Sequence, residues 1–101
     1  MTSGMDTSNR ETSMDGRILD RLFEVVASRK GADPASSWTA KLRAEAPELP
    51  GRKMAEEATE TLIDALGDDR QALTAEAADL IYHLLVVLVS RGVKLEDVWA
   101  E

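Results

Sequence analysis

The chain has 101 residues, 44% hydrophobic and 31% charged, with 19 acidic against 12 basic side chains and a net charge of −7. That length supports one domain with a marginal core, so self-association is expected. The acidic balance argues against a nucleic-acid backbone as partner and the 4% aromatic content against a stacking platform for one, while the lack of cysteine excludes disulfides, thiolate zinc sites and a cysteine nucleophile.

Residues 1–14 are polar, show no apolar period and hold further methionines at Met5 and Met14, so they are expected to be a disordered tail, with Met5 or Met14 as alternative starts. The domain then covers residues 15–101. A first helix is predicted from Asp15 to Lys30, where Ile18, Leu19, Leu22, Phe23, Val25 and Val26 recur at helical spacing, with Asp15 as cap and Gly31 just past the end. Asp33-Pro34 marks a turn, and Ser36-Ser37 offers a cap for a short helix over Trp38–Glu45 that Pro47 and Pro50 should end.

A third helix is predicted over Arg52–Leu66, stopped by Gly67, and a fourth over Arg70–Arg91, capped by Asp68 or Asp69 and stopped by Gly92. Leu95–Ala100 forms a last turn or two, with Val98 and Trp99 as packing anchors. No segment alternates with period two, so the fold class is all-α, an antiparallel bundle of four to five helices. No uninterrupted apolar run reaches the roughly 20 residues of a membrane helix, since Tyr82 and His83 break the richest stretch, Leu80–Val89. No secretion signal opens the chain, and a cytoplasmic protein without membrane or nucleic-acid partners is expected.

On a wheel of the third helix, Met54, Ala55, Ala58, Leu62, Ala65 and Leu66 fall between roughly 0° and 120°, whereas Lys53, Glu56, Glu57, Glu60 and Asp64 fall between roughly 200° and 300°. A solvated acidic face is the ordinary reading of such a stripe. Yet Glu56/Glu60 and Glu57/Glu60 are like-charge neighbours one turn apart, which destabilises a helix by a few tenths of a kcal/mol each. The fourth helix is apolar almost all round from Ala77 to Val89, the pattern of a helix buried in the middle of a bundle, but Glu76, Asp79 and His83 share one of its sides. A carboxylate there can face water, pair with Arg52, Lys53 or Arg70, or bind metal.

Antiparallel helices joined by so short a turn pack side by side, so Glu57-x-x-Glu60 and Glu76-x-x-Asp79 would bring four carboxylates to one centre. An all-oxygen set suits Mg²⁺, with Mn²⁺ as the alternative, and iron is disfavoured because no Glu-x-x-His is present. Acidic side chains handle polyphosphates when divalent cations lie between them. His83 is expected to be a hydrogen-bonded residue behind the ligands, and Tyr82 and Trp38 packing residues with satisfied polar tips.

Lys53-Met-Ala-Glu56-Glu57-Ala-Thr-Glu60 followed by Glu76-Ala-Ala-Asp79-Leu-Ile-Tyr82-His83 resembles the phosphoribosyl-ATP pyrophosphohydrolases of histidine biosynthesis, within the wider all-α nucleotide pyrophosphohydrolases. The segments from Arg29 to Leu42 and from Ser90 to Val98 are also similar, with Trp38 where the family more often has tyrosine and a different Glu48–Arg52 lead into the third helix. The resemblance implies Mg²⁺-dependent release of pyrophosphate from phosphoribosyl-ATP by attack of water on the α-phosphorus, in a homodimer or higher homo-oligomer that completes the bundle. It assigns Glu57, Glu60, Glu76 and Asp79 to the metal, Glu56 with Glu57 and Glu60 to catalysis, and Lys53, Arg29, Ser37 and Thr39 to the substrate. Rival readings are a house-cleaning nucleoside triphosphate pyrophosphohydrolase and a non-catalytic helical dimerisation module.

Overall fold

A computed structural model describes residues 15–101, and the expected tail lies outside the described residues. Five helices follow in order: α1 (Arg17–Ser28), α2 (Trp38–Ala44), α3 (Glu48–Ala65), α4 (Arg70–Ser90) and α5 (Leu95–Ala100). No strand occurs among the described residues, so the all-α expectation is borne out.

Most helix ends follow from local chemistry. Gly16, not Asp15, takes the cap position of α1; the Asp15 carboxylate instead accepts the Arg17 N–H at 3.0 Å and pairs with its guanidinium at 2.8 Å. Ser37 caps α2 by accepting the Ala40 N–H at 3.1 Å, and Asp69 caps α4 by accepting the Ala72 N–H at 3.0 Å. Gly92, at φ +72°, closes α4: its N–H donates to the Val89 carbonyl at 3.1 Å, and the Val93 N–H donates to Leu88 at 3.0 Å. That paired closure needs a left-handed residue, which only glycine supplies without strain.

The third helix begins four residues before its predicted start. Pro47 takes its cap position and Pro50 lies fully buried in its first turn. Proline belongs there because the first-turn amides have no partner inside the helix, so the missing N–H removes no bond.

The core is centred on Val26 of α1, Leu42 of α2 and Val86 of α4, with Leu22, Leu49, Tyr82 and Val89 packed against it. Arg43 ties α2 to α1 by donating to the Val26 and Ala27 carbonyls at 3.3 and 3.5 Å, at the end of α1 where a cation meets the negative end of the helix dipole. α4 is the helix against which α1, α2 and α3 all pack. By length and composition it is long and apolar enough to cross a membrane, contrary to the run-based exclusion above; the central helix of a bundle has the same properties, and this one carries Glu76, Asp79 and His83.

Two burial expectations need correcting. α4 is not enclosed all round: His83, Leu85 and Val86 are buried, but Ile81 and Leu84 are exposed because no helix among the described residues covers that flank. Val98 and Trp99 are likewise exposed, Trp99 by 63%, and the buried anchor of α5 is Leu95 at its first residue.

The third helix is turned about a quarter-turn away from what an apolar core would dictate. Pro50, Met54, Glu57, Thr61 and Asp64 are buried or half-buried, whereas Leu62 and Leu66 on the apolar face are 60% and 81% exposed. α3 thus brings Glu57 and Asp64 of its acidic side, together with Met54, toward the interior of its own chain and leaves the rest of its apolar side open.

Candidate metal centre

The α3–α4 hairpin, joined through Leu66–Asp69, makes the most extensive helix pair in the molecule and builds the centre. The inward turn of α3 places Glu57 opposite Glu76 and Asp79 of α4. One carboxylate oxygen from each of these three residues lies within 4.8 Å of the other two. Glu57 and Glu76 are half-buried, and each has an Oε1 shielded from solvent with no hydrogen-bond partner. Buried acceptors normally find donors, so two orphaned oxygens within so close a trio of carboxylates suit a cation.

Electrostatics agree. The Glu76 carboxyl is pushed up to about 8, first because its protonated form gains a hydrogen bond to Glu57, then because it gains one to Glu60, with desolvation and the charge of both neighbours adding to the effect. Like charges so close cannot all ionise, and the group holds a proton where a cation would otherwise sit. Neither Glu76 nor Asp79 forms an ion pair with Arg52, Lys53 or Arg70 among the described residues, since Lys53 pairs instead with Glu56 at 3.3 Å. The donor set is all oxygen and fits a hard divalent ion such as Mg²⁺ or Mn²⁺.

The remaining residues singled out from sequence fall into three places. Glu60 is exposed and lies outside the tight trio, although it helps to hold the Glu76 carboxyl up. Glu56 is exposed one turn away, held by Lys53. His83 is buried at 6% exposure, its Nδ1 lies 2.8 Å from the Asp79 carbonyl and its Nε2 is buried without a partner. Its ring meets that of Tyr82 edge-on at 4.9 Å.

Farther out, Arg29 is exposed at the end of α1 and donates to Ser28 Oγ at 3.1 Å. The Ser37 hydroxyl is used as the cap of α2, and the Thr39 hydroxyl is hydrogen-bonded to that of Tyr82. Ser37 thus starts α2 and Thr39 ties its first turn to α4.

Tyr82 packs with a satisfied hydroxyl, as expected, but Trp38 does not. Its indole is 46% exposed, with Lys41 Nζ 5.9 Å and Lys53 Nζ 6.0 Å from the ring centre. Lys41 escaped the sequence reading. The one available signal was the Trp38-x-x-Lys41 spacing, which places both on one side of a helix; the approach of Lys53 is tertiary.

Comparison with known proteins agrees with this architecture. The profile of a family described as phosphoribosyl-ATP pyrophosphohydrolase matches residues 19–101. The chain is 56% identical over 84 residues to a phosphoribosyl-ATP pyrophosphatase of Dinoroseobacter shibae, covering 83% of this chain and 82% of that protein. It is 54% identical over 83 residues to the enzyme so named from Jannaschia (82% and 81% covered), and 56% identical over 80 residues to that from Paracoccus denitrificans (79% and 74%). The carboxylate hairpin and α1, α2 and α5 around it all lie in the matched span or within two residues of it, and the chain belongs to the phosphoribosyl-ATP pyrophosphohydrolase family.

Proposed function

We propose that this chain hydrolyses phosphoribosyl-ATP to phosphoribosyl-AMP and pyrophosphate in histidine biosynthesis, with a divalent cation, Mg²⁺ or Mn²⁺, held by Glu57, Glu76 and Asp79 and joined by Glu60. The observation that carries the metal reading is the pair of orphaned oxygens on Glu57 and Glu76 beside Asp79. Family membership supports the substrate. A cation bound there supplies neutralisation of polyphosphate charge and makes water more acidic.

The chain's own residues do the rest. Glu56, exposed at the edge of the cluster, accepts a proton from the water that attacks the α-phosphorus, and the bond to the bridging oxygen breaks so that pyrophosphate leaves with its electron pair. Lys53, adjacent to Glu56, meets the phosphate oxygens, and Arg29 offers a second cation at the end of α1. Hydrolysis of this kind asks for positioning and charge stabilisation, and needs no covalent nucleophile. His83, behind Asp79, fixes the turn of α4 that carries it.

The reading extends to a homodimer. Leu62, Ile63 and Leu66 of α3 and Ile81 and Leu84 of α4 are exposed on the hairpin, and a second copy is the partner whose chemistry matches an apolar helix face.

The decisive experiment measures pyrophosphate release from phosphoribosyl-ATP, ATP and a deoxynucleotide panel, with and without Mg²⁺. Selective, Mg²⁺-dependent release from phosphoribosyl-ATP is expected. Release from ordinary triphosphates alone would move the chain to a house-cleaning role, and silence from folded protein would favour a non-catalytic helical module.

A further inference from the structure

Trp38 is an exposed aromatic side chain linked to the edge of the acidic centre through Lys53 and Glu56. It is 46% exposed and contributes nothing to the core cluster of Val26, Leu42 and Val86. Two ammonium groups converge on it, Lys41 from the next turn of α2 and Lys53 from α3, at 5.9 and 6.0 Å from the ring centre. Lys53 also reaches Glu56 at 3.3 Å, so one side chain bridges the indole and the edge of the carboxylate cluster. The turn that carries Trp38 is tied to α4: the next residue, Thr39, is hydrogen-bonded to Tyr82, one turn beyond Asp79.

We propose that Trp38 is the surface on which the base of the nucleotide stacks, with Lys41 and Lys53 reaching from the ring toward its phosphates. This rests on the nucleotide reading of the acidic centre. A flat, electron-rich ring with two mobile ammonium groups over it is complementary to a molecule that joins a flat π-system to an anion, which is the chemistry of a nucleotide: the base takes the place of a lysine over the ring and the displaced ammonium turns to the phosphates. One indole suffices for one base, although the chain is too poor in aromatics to track a strand. Stacking is tolerant of base identity because every base has a π-face, so Trp38 supplies affinity and orientation, while the choice among bases lies elsewhere.

The test uses the full chain and AMP as probe, with ribose 5-phosphate as the phosphate-bearing control that lacks a base. The chain has two tryptophans, so Trp99→Phe makes Trp38 the sole reporter. Saturable quenching of its emission by AMP, without quenching by ribose 5-phosphate, is expected. Trp38→Ala should weaken AMP about ten-fold and leave inorganic pyrophosphate binding unchanged, and Trp38→Tyr should restore most of the loss. In turnover, Trp38→Ala should raise KM for phosphoribosyl-ATP by a similar factor with kcat within about two-fold, the signature of binding equal in ground and transition states.

The proposal fails if AMP leaves the emission of the Trp99→Phe protein unchanged, or if Trp38→Ala binds AMP as tightly as the parent. The fluorescence arm keeps Trp38 intact, so it decides even where Trp38→Ala does not fold. Quenching by AMP in a protein that does not turn over phosphoribosyl-ATP supports the stacking site and overturns the substrate assignment. Turnover without quenching does the reverse.

Discussion

Divalent-ion binding by this chain is expected to strengthen steeply with pH, and the slope resides in one proton. The Glu76 carboxyl, pushed up to about 8 by Glu57 and Glu60, carries that proton at neutral pH, and a cation must displace it. Below that value each pH unit therefore weakens Mg²⁺ by about ten-fold, so that Kd at pH 6 is roughly 100-fold weaker than at pH 9. The sign for stability runs the same way. Because the folded value lies above the ordinary 4.5, the folded chain binds more protons than the unfolded one between the two. Stability of the metal-free chain thus falls as pH rises from 4.5 through about 8, and Mg²⁺ offsets the loss. Calorimetric titration with Mg²⁺ in two buffers of different ionisation enthalpy reads the displaced proton directly, and about one should be released at pH 7. Glu76→Gln cannot hold that proton: it should bind Mg²⁺ more weakly throughout, with a flat pH profile. Tight Mg²⁺ binding at pH 7 with no proton released, or an unchanged slope in Glu76→Gln, would refute this account.

Three further outcomes are expected. Asp79→Asn and Glu57→Gln should each lower pyrophosphate release by about 100-fold or more while the helical circular dichroism stays intact, and a variant that retains activity would remove that residue from the centre. Leu62→Glu combined with Leu66→Glu should halve the mass seen by light scattering if the open side of α3 joins two copies, and an unchanged mass would place the interface elsewhere. Gly92→Ala puts a β-carbon on a residue at φ +72°, at about 1–2 kcal/mol, and should lower Tm by roughly 4–15 °C, read by thermal denaturation; an unchanged Tm would mean that the closure of α4 relaxes around it.

Much of this architecture was legible in the residues because it is written in local chemistry. Ser37 and Asp69 announce helix starts, Gly92 announces a stop, and the spacing of Glu57 and Glu60, then Glu76 and Asp79, places the carboxylates on facing helices. A helical wheel separates two faces of α3 without saying which one turns inward. In an isolated amphipathic helix the apolar face is the natural choice, and here Glu57 faces α4 while Leu62 and Leu66 face out. Proline read as a helix terminator hid the start of α3, since Pro50 terminates a helix only from its interior. Trp38 was unreadable for another reason. Its exposure and its second lysine depend on how α2 is set against α3, which no spacing within α2 encodes.

The hydrogen bond between Thr39 and Tyr82 makes these two positions energetically inseparable. Thr39→Val or Tyr82→Phe alone strands one hydroxyl in a half-buried place, at about 1–3 kcal/mol, whereas changing both removes donor and acceptor together. The double variant should therefore be less destabilised than the sum of the singles. The bond spans the segment that carries Trp38 and the turn of α4 that begins at Asp79, so a drifting sequence can abandon it only by altering both ends. Substitutions at one position are filtered by the residue present at the other, although 43 positions separate them in the chain.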